Sequence, residues 1–171
     1  PASLSFEEAA CLPTAWLTAY RMLTTRGGQA PGNTVLVQGA GGGVATALIA
    51  LGSAMGLRMW VTSRDEAKGQ AAVEHLGAAA HFASGERLPH KVGAVREPVG
   101  AATWGHGIRP LRPRGTVVVC GATSGDPSPT ELTRIFFLQL SVVGSTMGTR
   151  DELHRLVSFL DLSGVRPVVD A

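Results

Sequence analysis

Short apolar runs rich in β-branched residues alternate along this chain with longer stretches whose apolar positions recur at helical spacing. Thr34-Val35-Leu36-Val37-Gln38, set between Pro31-Gly32 and Gly39, has the continuous apolar character of a strand buried on both faces. Ala45, Leu48, Ile49 and Gly52 then repeat at helical intervals across residues 44–57. A strand over 58–62 and a helix over 65–76, ending at Gly77, repeat the unit. Further on, the pattern predicts a short strand at 80–82, a weaker fourth at 93–97, a helix over 101–111, a strong fifth strand at 116–120 and a sixth at 140–144. Helix starts are marked by Ser5 with Glu8, by Ser128 with Glu131 (Pro129 between them), and by Thr149 with Glu152. Each has the Ser/Thr-x-x-Glu form in which side chains and backbone cap one another. Leu153, Leu156, Val157 and Leu160 share one face of the last helix. Near the N-terminus a second helix follows Pro13 and stops at Gly27-Gly28. Such alternation predicts an α/β fold, a doubly wound six-stranded parallel sheet with helices on both faces. No repeat or linker interrupts it, so residues 1–171 are expected to be one domain, with helices over 5–27 leading into a core over 34–171.

Composition narrows the function classes. The chain is 44% hydrophobic and 16% charged with 22 glycines, which fits a soluble α/β domain. Net charge is +2 and the fifteen basic residues are scattered without interleaved aromatics, so no nucleic-acid partner is expected. Residues 27–57 carry no charge, but Pro31, Gly32 and the glycines at 41–43 cut the segment below bilayer length. A buried helix, and no membrane span, is the expectation. Cys11 and Cys120 form no metal-spaced pair, and residues 1–10 hold Glu7 and Glu8 in place of a basic leader. A cytoplasmic protein without disulfides is therefore expected. The start at Pro1 fits an excised or processed piece.

The most informative segment follows the first strand: Gly39-Ala40-Gly41-Gly42-Gly43-Val44-Ala45. A pyrophosphate at a helix N-terminus needs a tight strand-to-helix turn whose backbone can be approached closely. Glycines supply that, and a small residue such as Ala45 lets the helix pack on its strand. Glycine-rich turns also serve purely structural ends. Here a strand precedes, a helix follows and a second strand comes at the right distance, which is the context of the dinucleotide-binding Rossmann fold.

These residues carry a family resemblance. The stretch from Thr34 to Ala45 resembles the phosphate loop of the medium-chain dehydrogenase/reductase superfamily. Leu17-Thr18-Ala19-Tyr20 with Pro31-Gly32 resembles the segment preceding that loop, Gly115 to Gly121 the fifth strand, and Val143 to Gly148 the sixth. The resemblance runs through nearly the whole chain and is strongest to the quinone-oxidoreductase-like branch. It implies a cofactor-binding domain of an oxidoreductase that moves a hydride from nicotinamide C4 to a quinone or enone, and a partner GroES-like catalytic domain not contained in these residues. It also places Thr18 at the nicotinamide ring, and Gly121-Ala122-Thr123 and Ser145-Thr146-Met147 at the carboxamide. An alternative for Thr18 is an interior helix residue bonding back to a carbonyl. The zinc-dependent branch has a catalytic Cys four residues before that Thr. This chain has Thr14 there, and Cys11 is off register. The histidines at 75, 81, 90, 106 and 154 show no ligand spacing and read as surface or loop residues. Zinc-independent reduction, with no zinc in this chain, is thus expected over an NAD-dependent zinc-type alcohol dehydrogenase. In many relatives the sixth strand pairs across a two-fold axis, so residues 140–145, from Leu140 on, are the expected homodimer edge. The competing class is a catalytically silent nucleotide-binding or dimerisation module.

Cofactor choice turns on the end of the second strand. NAD-preferring domains place an acid there for the ribose 2′-hydroxyl. This chain has Thr62-Ser63-Arg64, with Lys68 one turn on, a hydroxyl and two cations suited to the 2′-phosphate of NADPH. Alternatively Ser63 caps the helix with Glu66, Arg64 and Lys68 are a solvated face, and Asp65 meets a ribose. The family often has a Lys one position later, where this chain has Gly69. The fourth strand departs further. Gly93 replaces an acid, and Arg96 stands at a position expected to be buried, so it should find Glu97 or solvent. The connection from Phe82 to Val92 is short where relatives often have a helix.

Overall fold

A computed structural model describes residues 3–126 and 131–169. Its six strands are β1 (Thr34–Val37), β2 (Arg58–Ser63), β3 (Ala80–Ala83), β4 (Val92–Glu97), β5 (Leu111–Val119) and β6 (Ser141–Gly144). They form one sheet in the order β3-β2-β1-β4-β5-β6, with every adjacent pair parallel. This is the doubly wound Rossmann arrangement, in which strand order reverses between β1 and β4. β1 sits at the centre because Val35, Leu36 and Val37 have no exposed surface and require cover on both faces.

Helices α1 (Phe6–Ala10), α2 (Leu17–Leu23), α3 (Gly43–Ala54), α4 (Glu66–Leu76), α5 (Ala101–Ile108), α6 (Leu132–Phe137) and α7 (Arg150–Ser163) supply that cover. One core joins α2, α3 and α7 to Val35, Val37, Met59, Val61, Ala94 and Val118. The other joins α5 to Leu36, Trp60, Val95 and Val117. On α3, Ala47, Leu48, Ile49 and Leu51 are fully buried, and each large apolar side chain contributes about 1.5–3 kcal/mol. Gly52 sets the approach of α3 to β2. A Cβ there would lie 2.4 Å from Met59 Sδ, so any larger residue must push helix and strand apart.

Several boundaries differ from the sequence pattern, for physical reasons. Pro13 does not open a gap between two helices. A π-helical turn over Leu12–Trp16 carries the chain from α1 into α2, widening the hydrogen-bond ladder where the proline has no N–H to give. α2 ends at Leu23, short of Gly27. α5 stops at Ile108, since Pro110 follows and β5 starts at once, with Leu111 in register with Val92. The chain from Ala83 to Val92 contains no helix, as the short connection implied. The capping boxes at Ser5 and Thr149 form with both reciprocal bonds. The one expected from Ser128 lies outside the described residues.

Arg96 is a correction. It is fully buried, yet it pairs with neither Glu97 nor solvent. Alternation along β4 turns the two side chains to opposite faces. Arg96 donates from Nη2 to Gly27 O in the turn after α2, while its Nε has no partner among the described residues. Glu97 instead accepts from Val99 N, Gly100 N and the Thr103 hydroxyl, which orders the turn after β4.

Candidate cofactor-binding site

The glycine turn lies at the carboxyl end of β1. Gly39 has φ +88°, a conformation that favours glycine. Its N–H donates to Thr62 Oγ1 at 3.1 Å, and that hydroxyl donates to Gln38 Oε1 at 2.7 Å. Gln38 Nε2 then meets His106 Nδ1 at 3.0 Å, and His106 Nε2 lies 2.8 Å from Glu86 O. With the proton on Nε2, His106 donates to Glu86 O and accepts from Gln38 Nε2. His106 is therefore a half-buried strut on α5, and His81 is half-buried against α4, so neither is the surface or loop histidine expected from spacing. Pattern reading missed this network. Its one visible signal was Gln38, a polar residue closing an otherwise apolar strand.

Gly42 precedes α3 in an extended conformation, and no side chain caps the helix. The first amides of α3 thus keep free N–H groups at the positive end of the helix dipole. A Cβ on Gly42 would meet nothing within 4 Å, so the turn faces open space. Gly41 and Gly43 line a cavity of about 510 Å³ with Thr14, Ala15, Thr46 and Val168. Gly43 packs on Ala15, which pins the turn against the π-helical segment. Ala40 is buried and Val44 half-buried beneath it.

At the end of β2, Ser63 does not cap α4. Its hydroxyl accepts from Asp65 N, while the Asp65 carboxylate is the cap and accepts from Lys68 N at 3.2 Å. Arg64 is exposed and, among the described residues, has no ion-pair or hydrogen-bond partner. The Lys68 side chain lies over the glycine turn: a Cβ on Gly41 would stand 2.9 Å from its Cδ and 3.4 Å from its Nζ.

The other expected positions gather at the carboxyl ends of β5 and β6. Gly121 lies so close to Pro98 O that a Cβ would stand 2.7 Å from it, and Thr123 Oγ1 donates to Val99 O. Ser145 N donates to Val119 O, while the Ser145 hydroxyl is buried with no partner among the described residues. Met147 takes φ +45°, and Gly148 packs on Leu17, next to the buried Thr18 of α2. The structure therefore joins the 145–148 turn to the Thr18 segment. Among the described residues no group of three His, Cys, Asp or Glu side chains is placed to hold a metal ion, and no helix is long and apolar enough to cross a membrane.

Comparison with known proteins agrees with this geometry. Residues 43–161 match the family model described as zinc-binding dehydrogenase. The chain is 31% identical to the zinc-type alcohol dehydrogenase-like protein YogA of Leptosphaeria maculans, over 99% of this chain and 51% of that protein. It superposes on the crystal structure of an NAD-dependent alcohol dehydrogenase with a TM-score of 0.90 and 32% identity, covering 98% of this chain and 52% of that one. With the 2-octenoyl-CoA carboxylase reductase CinF, solved in complex with NADP and 2-octenoyl-CoA, the TM-score is 0.89 at 26% identity, covering 98% and 44%. The chain thus spans about half the length of the relatives that it matches end to end. The parallel sheet, its glycine turn and these matches together establish that the chain belongs to the medium-chain dehydrogenase/reductase superfamily, as its NAD(P)-binding domain.

Proposed function

We propose that this domain holds NADPH in preference to NADH and serves a zinc-independent reductase of quinones or enones. The observation that carries the preference is the state of Asp65. It is the acid nearest the end of β2, and its carboxylate is committed to capping α4, while Arg64 beside it is a free cation. A ribose diol calls for a free carboxylate and a 2′-phosphate for a free guanidinium, so the pairing favours NADPH. CinF, a relative of this chain, is a reductase solved with NADP.

The residues present fit a dinucleotide. Uncapped amides at the start of α3 and the open space over Gly42 suit a pyrophosphate, and the orphaned Ser145 hydroxyl suits a carboxamide. When bound, the nicotinamide supplies the hydride. Gly39, Ala40, Gly41, Gly42, Gly43 and Val44 present backbone to the phosphates, Ser63 and Arg64 meet the 2′-phosphate, and Lys68 adds a positive charge beside the glycine turn. Thr18, Gly121, Ala122, Thr123, Ser145, Thr146 and Met147 line the nicotinamide end. Substrate would be covered by a second, GroES-like domain. A homodimer would form along β6, where Val142 is 47% exposed on the open edge of the sheet.

Calorimetric titration with NADPH and NADH tests the preference. Tighter NADPH binding, lost at least tenfold in Arg64→Ala while NADH binding is unchanged, is expected. Equal affinities for the two cofactors would withdraw it and favour the NAD-dependent reading.

A further inference from the structure

Lys68 stands on the first turn of α4, and the end of its side chain reaches across to the glycine turn, with Nζ 3.4 Å from where a Gly41 Cβ would be. Among the described residues its ammonium has no hydrogen-bond or ion-pair partner, the only bond of Lys68 to a side chain being from its backbone N–H to Asp65. The next residue points elsewhere, since one helical step turns the side chain by about 100°. Gly69 is buried, and a Cβ there would lie 2.7 Å from His81 Nδ1. A lysine at position 69 is therefore excluded unless His81 moves, and the cation on this helix is directed to the turn.

This placement is electrostatically incomplete by itself. An ammonium is set above the uncapped N-terminus of α3, where the helix dipole is positive. Two positive features facing one space are both relieved by an anion lying between them. The anion in a bound dinucleotide that lies over the glycine turn is the pyrophosphate, and the 2′-phosphate belongs at the end of β2.

We propose that Lys68 grips the pyrophosphate from above the glycine turn, so that it serves NADPH and NADH equally and leaves recognition of the 2′-phosphate to Arg64. The assignment rests on the dinucleotide reading given above. Gly41 is part of the same device, because any side chain at that position would displace the lysine from the groove.

The test is Lys68→Met, which keeps an unbranched apolar stem on Gly41 and removes the charge. Binding of NADPH, NADH and ADP, which carries a diphosphate but no 2′-phosphate, is measured by calorimetry on the full chain, with unfolding followed in parallel to confirm the fold. All three ligands should weaken together by roughly tenfold or more, with the NADPH-to-NADH ratio unchanged. A loss confined to NADPH would make Lys68 a 2′-phosphate partner and overturn the proposal. No change for any ligand would make it a solvated surface lysine, with the same consequence. A wild-type chain that binds neither dinucleotide would overturn the underlying reading as well, and this outcome is separate from a selective effect of Lys68→Met.

Discussion

Replacing Arg96 with methionine should stabilise this protein, although it removes a buried hydrogen bond. Arg96 is fully buried on β4, facing the core shared with α2 and α3, with Gly27 O as its one good acceptor and its Nε unpaired. Among the described residues no carboxylate pairs with it, because Glu97 faces the other side and is held by Val99, Gly100 and Thr103. Burial pulls the guanidinium down to about 10 from its ordinary value. At about 1.4 kcal/mol for each tenfold change in proton affinity, that depression is on the order of 3 kcal/mol held against the charged form. Methionine has similar reach, no charge and the flexibility to fill the vacated space. Substituting a buried charge by a well-packed apolar residue commonly gains about 1–4 kcal/mol. At roughly 2–4 °C per kcal/mol for a chain of this size, the melting temperature should rise several degrees. Arg96→Ala, which leaves a cavity, should lie about 2–4 kcal/mol below the methionine variant. Urea unfolding followed by tryptophan fluorescence reads both, given three tryptophans, Trp16 buried in one core and Trp60 and Trp104 in the other. The sign of the pH dependence follows from the depressed value. Below about pH 10 both folded and unfolded chains carry the charge, so the penalty is constant. Above it the folded chain sheds the proton first and the penalty shrinks. The gain should therefore be flat between about pH 6 and 9. A methionine variant less stable than wild type by about 1 kcal/mol or more would show instead that the bond to Gly27 O outweighs the desolvation.

Other expectations concern acid stability, thiol reactivity and assembly. Burial works against the charge of Glu152, but bonds from Thr25 and Thr149 and the Arg21 guanidinium at 2.6 Å outweigh it and hold the carboxyl at about 2. A depressed carboxyl stabilises above its ordinary value and loses that contribution as pH falls through about 2. Glu152→Gln should cost about 2 kcal/mol at neutral pH and flatten the acid limb of the stability curve, read by chemical unfolding across that range. Cys120 is raised to about 11 by burial and by the nearby Glu97 charge, so iodoacetamide at about pH 8 should leave it largely unmodified in the folded chain and label it in urea, as peptide mass spectrometry would show. Val142→Lys on the β6 edge should shift the chain to monomer in light scattering while the monomer stays folded by circular dichroism. Dimers that persist would place any interface elsewhere.

Much of the fold was legible because a parallel sheet demands strands apolar on both faces, and Val35-Leu36-Val37 and Val117-Val118 satisfy that demand in the sequence itself. The glycine turn was legible for the same kind of reason, since few other contexts need that many residues without a Cβ between strand and helix. The continuity through Pro13 is not legible, because local pattern cannot distinguish a broken helix from a ladder that widens to accommodate a missing N–H. Ser63 and Asp65 are both competent caps, and only the backbone path out of β2 decides between them. Directions were the least legible feature. Spacing put Lys68 beside Arg64, whereas its stem crosses to Gly41, and it could not foresee that Arg96 and Glu97 would take opposite faces with separate partners. The Thr62–Gln38–His106 strut joins three segments far apart in sequence, so it emerges only when the sheet and α5 are assembled.

The cofactor site is tested most directly by a crystal structure of this chain grown with NADP. The pyrophosphate should lie on the amides that open α3 with Lys68 Nζ against it, the 2′-phosphate against Arg64, and the carboxamide near Ser145. A dinucleotide whose 2′-phosphate lies free of Arg64, or one bound away from the glycine turn, would contradict that placement.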